Sequence, residues 1–196
     1  PAIREDFLPI YAYDHQLALS PRVASNPLIV EIRLTVGGDV LDEVFECRTV
    51  RGHPTAQALA AVTQRHKLPR QPLEAMIDAR YRELDAAPMS ENELLDWARD
   101  TGGLAAQLAA QVLDPATDAK LALAGGAAWA LGQRLADRPE LRPTFLRVIH
   151  AARGASHALS VAAFPAVAHA ALAGRPAKND FSRRLRLTVA VARGKI

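Results

Sequence analysis

Acidic side chains at helical spacing are the first feature of this sequence that could support chemistry. Asp39 and Glu43 stand four residues apart, and so do Asp42 and Glu46. Residues at this spacing lie on one face of a helix, and two carboxylates one turn apart can hold Mg²⁺ against a diphosphate. The same spacing is also common on a solvated helix face, where it has no chemical role. The pattern therefore leaves two interpretations open, a magnesium site and a solvated surface.

Histidine and cysteine give weaker signals. His150 and His157 are seven residues apart and share a helix face, but Arg153 lies between them and a metal ion would need a third ligand. Two half-buried histidines that hydrogen-bond neighbouring helices are the simpler interpretation. Cys47, the single cysteine, follows Glu46, and a nearby negative charge disfavours the reactive thiolate. We predict no metal site, no disulfide and no catalytic residue among these side chains.

The composition predicts a folded, all-α domain. The chain has 196 residues, of which 49% are hydrophobic and 23% are charged, so it can bury a core without cross-links. Residues 1–100 contain 13 alanines and residues 101–196 contain 26, and alanine is the strongest helix former. The net charge of +3 is too small and too evenly spread to indicate nucleic acid as a partner. We predict a single domain over residues 1–196, with thin, closely packed helices in its second half.

Proline and capping residues set the predicted helix boundaries. Asn26 is a predicted N-cap, with Pro27 at the first helical position. Ser90 and Glu93 have the spacing of a capping box, and Pro21 is predicted to end the first helix. The helices are predicted over about residues 4–19, 26–47, 54–66, 72–84, 90–113, 114–136, 144–172 and 180–193.

One apolar stretch, residues 155–174, is about long enough to cross a membrane. It is mostly alanine and contains His157, Pro165 and His169, so a buried bundle helix is a better interpretation than a membrane span. The first six residues carry charges and do not resemble a secretory signal. We expect a cytoplasmic protein, and a peripheral association with the inner membrane is part of this expectation.

Short strings along the chain resemble one protein family. They are Tyr11-Ala12-Tyr13, Asn26-Pro27-Leu28-Ile29, Glu31-Ile32-Arg33-Leu34, Asp39-Val40-Leu41-Asp42-Glu43-Val44, Gly52-His53-Pro54, Asp78-Ala79-Arg80, Met89-Ser90-Glu91-Asn92-Glu93-Leu94, Gly125-Gly126-Ala127-Ala128-Trp129-Ala130-Leu131 and Arg184-Leu185-Arg186-Leu187. In this order they resemble the squalene/phytoene synthase family over nearly the whole chain. The resemblance implies the isoprenoid synthase fold, an all-α helical bundle around a central cavity. We expect residues 121–135 and 151–172 to form an apolar wall of that cavity.

The resemblance also implies where the metal-binding motifs of the family would stand. Active members join two prenyl diphosphates head to head and bind Mg²⁺ through two aspartate-rich motifs, because metal ions neutralise the departing diphosphate. The positions that match the first motif hold Ala18, Leu19 and Arg22. The nearest match to the second motif holds Asp137 and Leu141, with a proline between them. We therefore predict that both motifs are lost.

With both motifs lost, the chain resembles a branch of the family that includes an assembly factor of respiratory complex I and its bacterial relatives. The resemblance implies a pseudoenzyme without a cofactor that binds a protein partner, an isoprenoid or another lipid. The alternative is an active head-to-head prenyltransferase that needs Mg²⁺. The candidate ligand-binding residues are Tyr11, Asp14, Arg33, Asp78 and Arg80. A structural ion-pair network is the alternative interpretation of these five residues.

Overall fold

In the described part of the computed structural model, the regular secondary structure of this protein is helical. That part covers residues 3–23, 26–46, 48–50, 52–174 and 179–196, and no strand occurs in it. The predicted all-α class is confirmed. The chain divides into two compact units, residues 1–89 and 90–196, each with its own core. The single domain over the whole chain stays a prediction.

The first unit is a small helical bundle whose boundaries follow from local sequence. The side chain of Asn26 accepts the N–H of Leu28 at 3.0 Å, as predicted for an N-cap. Pro54 occupies the first turn of its helix, and Lys67 ends that helix with a left-handed φ of 52°. The helices are α1 (Ile3–Asp6), α2 (Leu8–Val23), α3 (Pro27–Phe45), α4 (Pro54–His66) and α5 (Arg70–Tyr81), with a 3₁₀ turn at Arg82–Leu84. Ile10, Leu34, Leu41, Leu59, Leu73 and Met76 are fully buried in the core.

The prediction that Pro21 ends the first helix is wrong. Helix α2 runs through Pro21 to Val23. A proline so close to a helix end removes one backbone donor, which would have bonded the carbonyl four residues earlier, and leaves the rest of the helix intact. Ser20, just before the proline, donates its hydroxyl to the carbonyl of Gln16 at 3.2 Å. The last turn is thus supported by a side chain.

The α-helices of the second unit are 8 to 15 residues long in the described part of the chain. The capping box is confirmed, because Glu93 Oε2 accepts the N–H of Ser90 at 2.8 Å and Ser90 Oγ accepts the N–H of Glu93 at 3.4 Å. The α-helices are α6 (Glu91–Ala98), α7 (Leu104–Leu113), α8 (Leu123–Arg134), α9 (Arg142–Ser156) and α10 (Asp180–Arg193). A π-helical turn at Arg99–Gly103 joins α6 to α7. Short 3₁₀ turns lie at Ala119–Ala122, Pro139–Leu141, Phe164–Ala166 and Ala168–Leu172.

Two long helices predicted in this unit are broken in the structure. No helix begins at Asp114, because its carboxylate accepts the N–H of Ala116 at 3.0 Å and forms a turn instead. The helix predicted over residues 144–172 ends at Ser156. Ser160 then accepts the N–H of Ala163 and donates to Asp114 Oδ2 at 2.6 Å. These side-chain bonds to backbone compete with helix continuation.

Two glycines bring helices of the second unit into backbone contact. A Cβ built on Gly126 would lie 1.9 Å from the carbonyl oxygen of Gly102, and one on Gly102 would lie 2.5 Å from the carbonyl oxygen of Gly126. Only glycine permits so close an approach. The residues predicted to line a cavity, 121–135 and 151–172, contribute to this tight packing: Ala128, Leu131 and Ala163 are fully buried. They do not line the apolar cavity described below, which belongs to the first unit.

The apolar stretch 155–174 is a series of turns rather than a continuous helix. Across the described ranges, no helix combines the length and the apolar character needed to cross a membrane.

Candidate ligand-binding pocket

A cavity of about 400 Å³ opens between α2, α3 and the start of α4 in the first unit. Its wall is largely apolar. The apolar lining consists of Tyr13, Leu17, Leu19, Val36, Gly37, Val40 and Ala56, and the polar lining of Gln16, Ser20, Arg33, His53 and Thr55. None of these described lining residues is acidic. A concave apolar wall with a few polar groups is the usual form of a small-molecule site.

The polar side of the pocket is held by hydrogen bonds between α2 and α4. Gln16 Nε2 donates to Thr55 Oγ1 at 2.9 Å and lies 3.5 Å from His53 Nε2. Both Gln16 and His53 are exposed, so they stand at the mouth rather than the floor. Arg33, also exposed, brings a positive charge to the same pocket from α3.

Two tyrosines near the pocket stay protonated. Burial and the negative charge of Asp14 raise the pKa of both Tyr11 and Tyr13 above the usual range. Tyr13 lines the pocket, but its hydroxyl donates to the carbonyl of Leu73 at 3.2 Å. Tyr11 is in edge-to-face contact with Phe7, with ring centroids 6.0 Å apart, and is not among the lining residues. The hydroxyl of Tyr13 therefore fixes α2 to α5.

Asp14 and Arg80, two of the predicted site residues, form an ion pair beneath the surface. Arg80 donates to Asp14 Oδ1 and to Glu83 Oε1, each at 2.8 Å. The side chains of Arg80, Asp14 and Glu83 are only 7%, 19% and 10% exposed. None of the three lines the pocket. Their geometry is that of a structural ion-pair network, so the structure brings only Arg33 of the five predicted residues to the pocket wall.

Asp78 lies in a separate, shallower depression of about 410 Å³ between α3 and α5. Asp39 and Asp42 from α3 and Glu74 from α5 also line it. Arg70 lines the same depression and donates to Asp42 Oδ1 at 2.5 Å and to Glu74 Oε1 at 2.6 Å. Of the acidic pattern noted in the sequence, Asp42 thus bonds Arg70, whereas Glu46 pairs with Arg48 at 2.9 Å.

The residues present do not fit the Mg²⁺ sites that the resemblance implies for active enzymes. At the first motif, Ala18 is half-buried and Leu19 lines the pocket, and neither offers an oxygen ligand. Asp137 is exposed and lies two residues before the 3₁₀ turn Pro139–Leu141, while Leu141 is 5% exposed and apolar. Within the described ranges, no three His, Cys, Asp or Glu side chains are grouped closely enough to hold a metal ion. The side chain of Arg22, like all of Cys47, lies outside the described part of the chain.

The structure defines this protein as an all-α chain with an apolar pocket in its first unit. The family model for squalene/phytoene synthase matches residues 1–142, which include the whole of that unit. The chain therefore belongs to the squalene/phytoene synthase family, which confirms the family inferred from the short strings; the string at residues 184–187 lies beyond the matched range. No curated protein and no solved structure matches the chain.

Most of the pocket wall was not among the residues singled out from the sequence. Leu17 and Ser20 follow Tyr13 at helical spacing on α2, and Val36 and Val40 are one turn apart on α3. This spacing is visible in the sequence but is identical to that of an ordinary core stripe. No local signal distinguishes a wall that faces a cavity from one that faces another helix.

Proposed function

We propose that this family member is a non-catalytic binding factor, similar to the assembly factor of respiratory complex I, that accommodates an isoprenoid or another lipid in the first-unit pocket. The observation that carries the proposal is the lining of the pocket: apolar side chains and Arg33, with no carboxylate among the described residues. Such a wall suits an apolar chain with a polar or anionic head. It offers no hard oxygen cluster for Mg²⁺.

The charge arrangement of the whole first unit supports the same proposal. Diphosphate departure requires metal ions, which in turn require carboxylates that are free to coordinate them. Here Arg80 engages Asp14 and Glu83, and Arg70 engages Asp42 and Glu74. Two arginines thus neutralise four acidic side chains of the first unit.

A head-to-head prenyltransferase is the second candidate function, and one observation favours it. Asp39, Asp42 and Asp78 line a single depression from two facing helices, α3 and α5. Facing acidic helices are what the resemblance implies for an active enzyme. The position of Arg70 between them argues against this candidate, because its guanidinium already bonds Asp42.

The pocket can be tested by filling it. A Cβ on Gly37 would lie 3.5 Å from Leu17 Cδ2, an ordinary contact, on the pocket wall. The next residue, Gly38, lines the other depression, and a Cβ there would meet nothing within 4 Å. We expect Gly37→Leu to weaken binding of farnesol, measured by titration calorimetry, by about tenfold or more, since a blocked pocket loses its apolar contacts. Gly38→Leu is the matched control and should bind as the original chain does. Equal binding by both variants would exclude the pocket as the site.

The assembly role needs a separate test on the cellular partner. A tagged chain captured from native membranes should bring down subunits of respiratory complex I, and a deletion strain should show reduced complex I activity. Normal complex I in the deletion strain would refute the assembly role and leave the pocket test unaffected.

A further inference from the structure

The second unit contains an open groove that the proposed function does not use. It has a volume of about 590 Å³ and lies between α9, α10 and the 3₁₀ turn Ala168–Leu172. Apolar side chains form part of its wall, among them Phe145 and Ile149 from α9 and Leu185 and Val189 from α10. The groove is distinct from the first-unit pocket, since the two share no residue.

The charges around this groove are all of one sign. Five basic residues line it, and no described lining residue has an acidic side chain. The five are Arg142, Arg153, Arg186, Arg193 and Lys195. Arg153 donates its Nε to the backbone oxygen of Ile196, which also lines the groove, at 3.2 Å, and the ion pair of Arg183 with Asp180 lies outside the groove. A groove lined by cations alone concentrates anions.

Arg186 provides an independent sign that a ligand is missing. Its Nη1 atom is buried and has no hydrogen-bond partner within the described part of the chain. Buried donors are nearly always satisfied, and a guanidinium is the side chain best suited to bind phosphate. Arg186 lines the groove, and because Nη1 itself is buried, an oxyanion there bonds this atom once the guanidinium turns towards the groove.

The apolar side chains around Arg186 identify the kind of anion. Leu185 and Leu146, which line the groove, are 52% and 53% exposed, and Phe181, at the start of α10 outside the groove lining, is 73% exposed. A helix that combines exposed apolar residues with arginines is typical of segments that lie in a membrane interface. Free phosphate would contact the arginines and not the apolar side chains. A phospholipid would contact the arginines with its phosphate and the apolar side chains with an acyl chain.

We propose that the groove between α9 and α10 binds an anionic phospholipid of a membrane surface, with the phosphate at Arg186 and an acyl chain along the apolar wall. Arg193 and Lys195 stand on the same groove and hold the negative charge of the headgroup. The site gives the second unit a membrane contact that does not depend on the pocket in the first unit or on catalysis.

The test is vesicle binding by the full chain. Phosphatidylcholine vesicles with and without phosphatidylglycerol are mixed with the protein and separated by flotation. We expect binding only when phosphatidylglycerol is present, and a loss of about tenfold or more in affinity for Arg186→Gln. Arg193→Gln, at an exposed position, should also weaken binding, and it guards against a folding defect in Arg186→Gln.

The matched control removes the same charge from the same helix. Arg184 is exposed on α10 and does not line the groove, so Arg184→Gln should reduce vesicle binding by no more than about twofold. Equal losses for Arg184→Gln and Arg186→Gln would indicate diffuse attraction and overturn the groove site. Displacement from vesicles by inorganic phosphate alone would overturn the lipid as ligand. Capture of an acidic protein without any vesicle binding would also overturn the lipid as ligand.

Discussion

The two units of this protein hold their helices together by opposite means. In the first unit, long charged side chains join the helices: Arg80 is 7% exposed and bonds Asp14 and Glu83. In the second unit, glycines let the backbones touch, as at Gly102 and Gly126. The alanine count rises from 13 in residues 1–100 to 26 in residues 101–196, in line with this difference.

The two kinds of helix packing leave different amounts of empty volume around them. Helices that pack through small side chains interdigitate closely and leave little room. The first unit has a cavity of about 400 Å³ between α2, α3 and the start of α4. The second unit has its own open groove of about 590 Å³ between α9 and α10, which neither Gly102 nor Gly126 lines.

The largest expected effect comes from removing the buried cation of the first unit. Arg80→Met leaves the carboxylates of Asp14 and Glu83 without their partner, and we expect the free energy of unfolding to fall by about 3–5 kcal/mol. Urea unfolding followed by circular dichroism measures it. The control is Arg99→Met, whose side chain is 57% exposed, and it should change stability by less than about 1 kcal/mol. Similar losses for the two variants would show that the Arg80 network does not hold the first unit together.

The second unit should respond to pH through His169. Burial lowers the pKa of His169 from 6.5 to about 4, and its ring is in edge-to-face contact with Trp129 at 5.4 Å. The folded state holds this proton less tightly than the unfolded state. The contribution of neutral His169 to the free energy of unfolding is therefore fully present above about pH 6.5. It is lost as the pH falls towards 4, by up to about 3 kcal/mol.

The variant His169→Phe isolates this contribution. It keeps an aromatic ring against Trp129 and should flatten the decline in unfolding free energy between pH 6.5 and pH 4. His150→Phe, at an exposed position of α9, should leave the decline in place. An unchanged pH profile in His169→Phe would assign the decline to other groups.

A smaller loss is expected where the backbones of the second unit touch. Gly126→Ala places a Cβ against the carbonyl of Gly102, and the helices must separate, at a cost of about 1–3 kcal/mol. Gly154 lies within α9 with nothing within 4 Å of an added Cβ. Gly154→Ala should therefore raise the free energy of unfolding by up to about 1 kcal/mol. Thermal unfolding of both variants gives the comparison, and a tolerated Gly126→Ala would contradict the close approach.

Local chemistry in the sequence predicts two helix starts correctly and one, at Asp114, wrongly. The N-cap at Asn26 and the capping box at Ser90 depend on neighbouring residues alone, and the structure confirms both. The breaks at Asp114 and Ser156 were missed because the helical pattern does not show that Asp114 accepts the N–H of Ala116, or that Ser160, distant in sequence, bonds Asp114. A helical pattern cannot report a bond between residues so far apart along the chain.

The site was predicted only in part, for a related physical reason. Arg33 lines the pocket, whereas Asp14 and Arg80 bond each other and Asp78 faces another depression. Charge type alone indicates that these residues need partners, but it does not say whether the partner is a ligand or another side chain. Whether a charged residue pairs with a ligand or with a side chain depends on which helix faces pack together. Helix packing is a property of the tertiary structure.

The most direct test of the central claim is a turnover assay. The purified chain is incubated with farnesyl or geranylgeranyl diphosphate and Mg²⁺, and the extracted products are separated by chromatography. A wall without carboxylates around the pocket predicts no squalene, no phytoene and no cyclopropyl intermediate. Metal-dependent turnover that is abolished by Asp39→Ala or Asp78→Ala would contradict this account and establish the depression between α3 and α5 as a catalytic site.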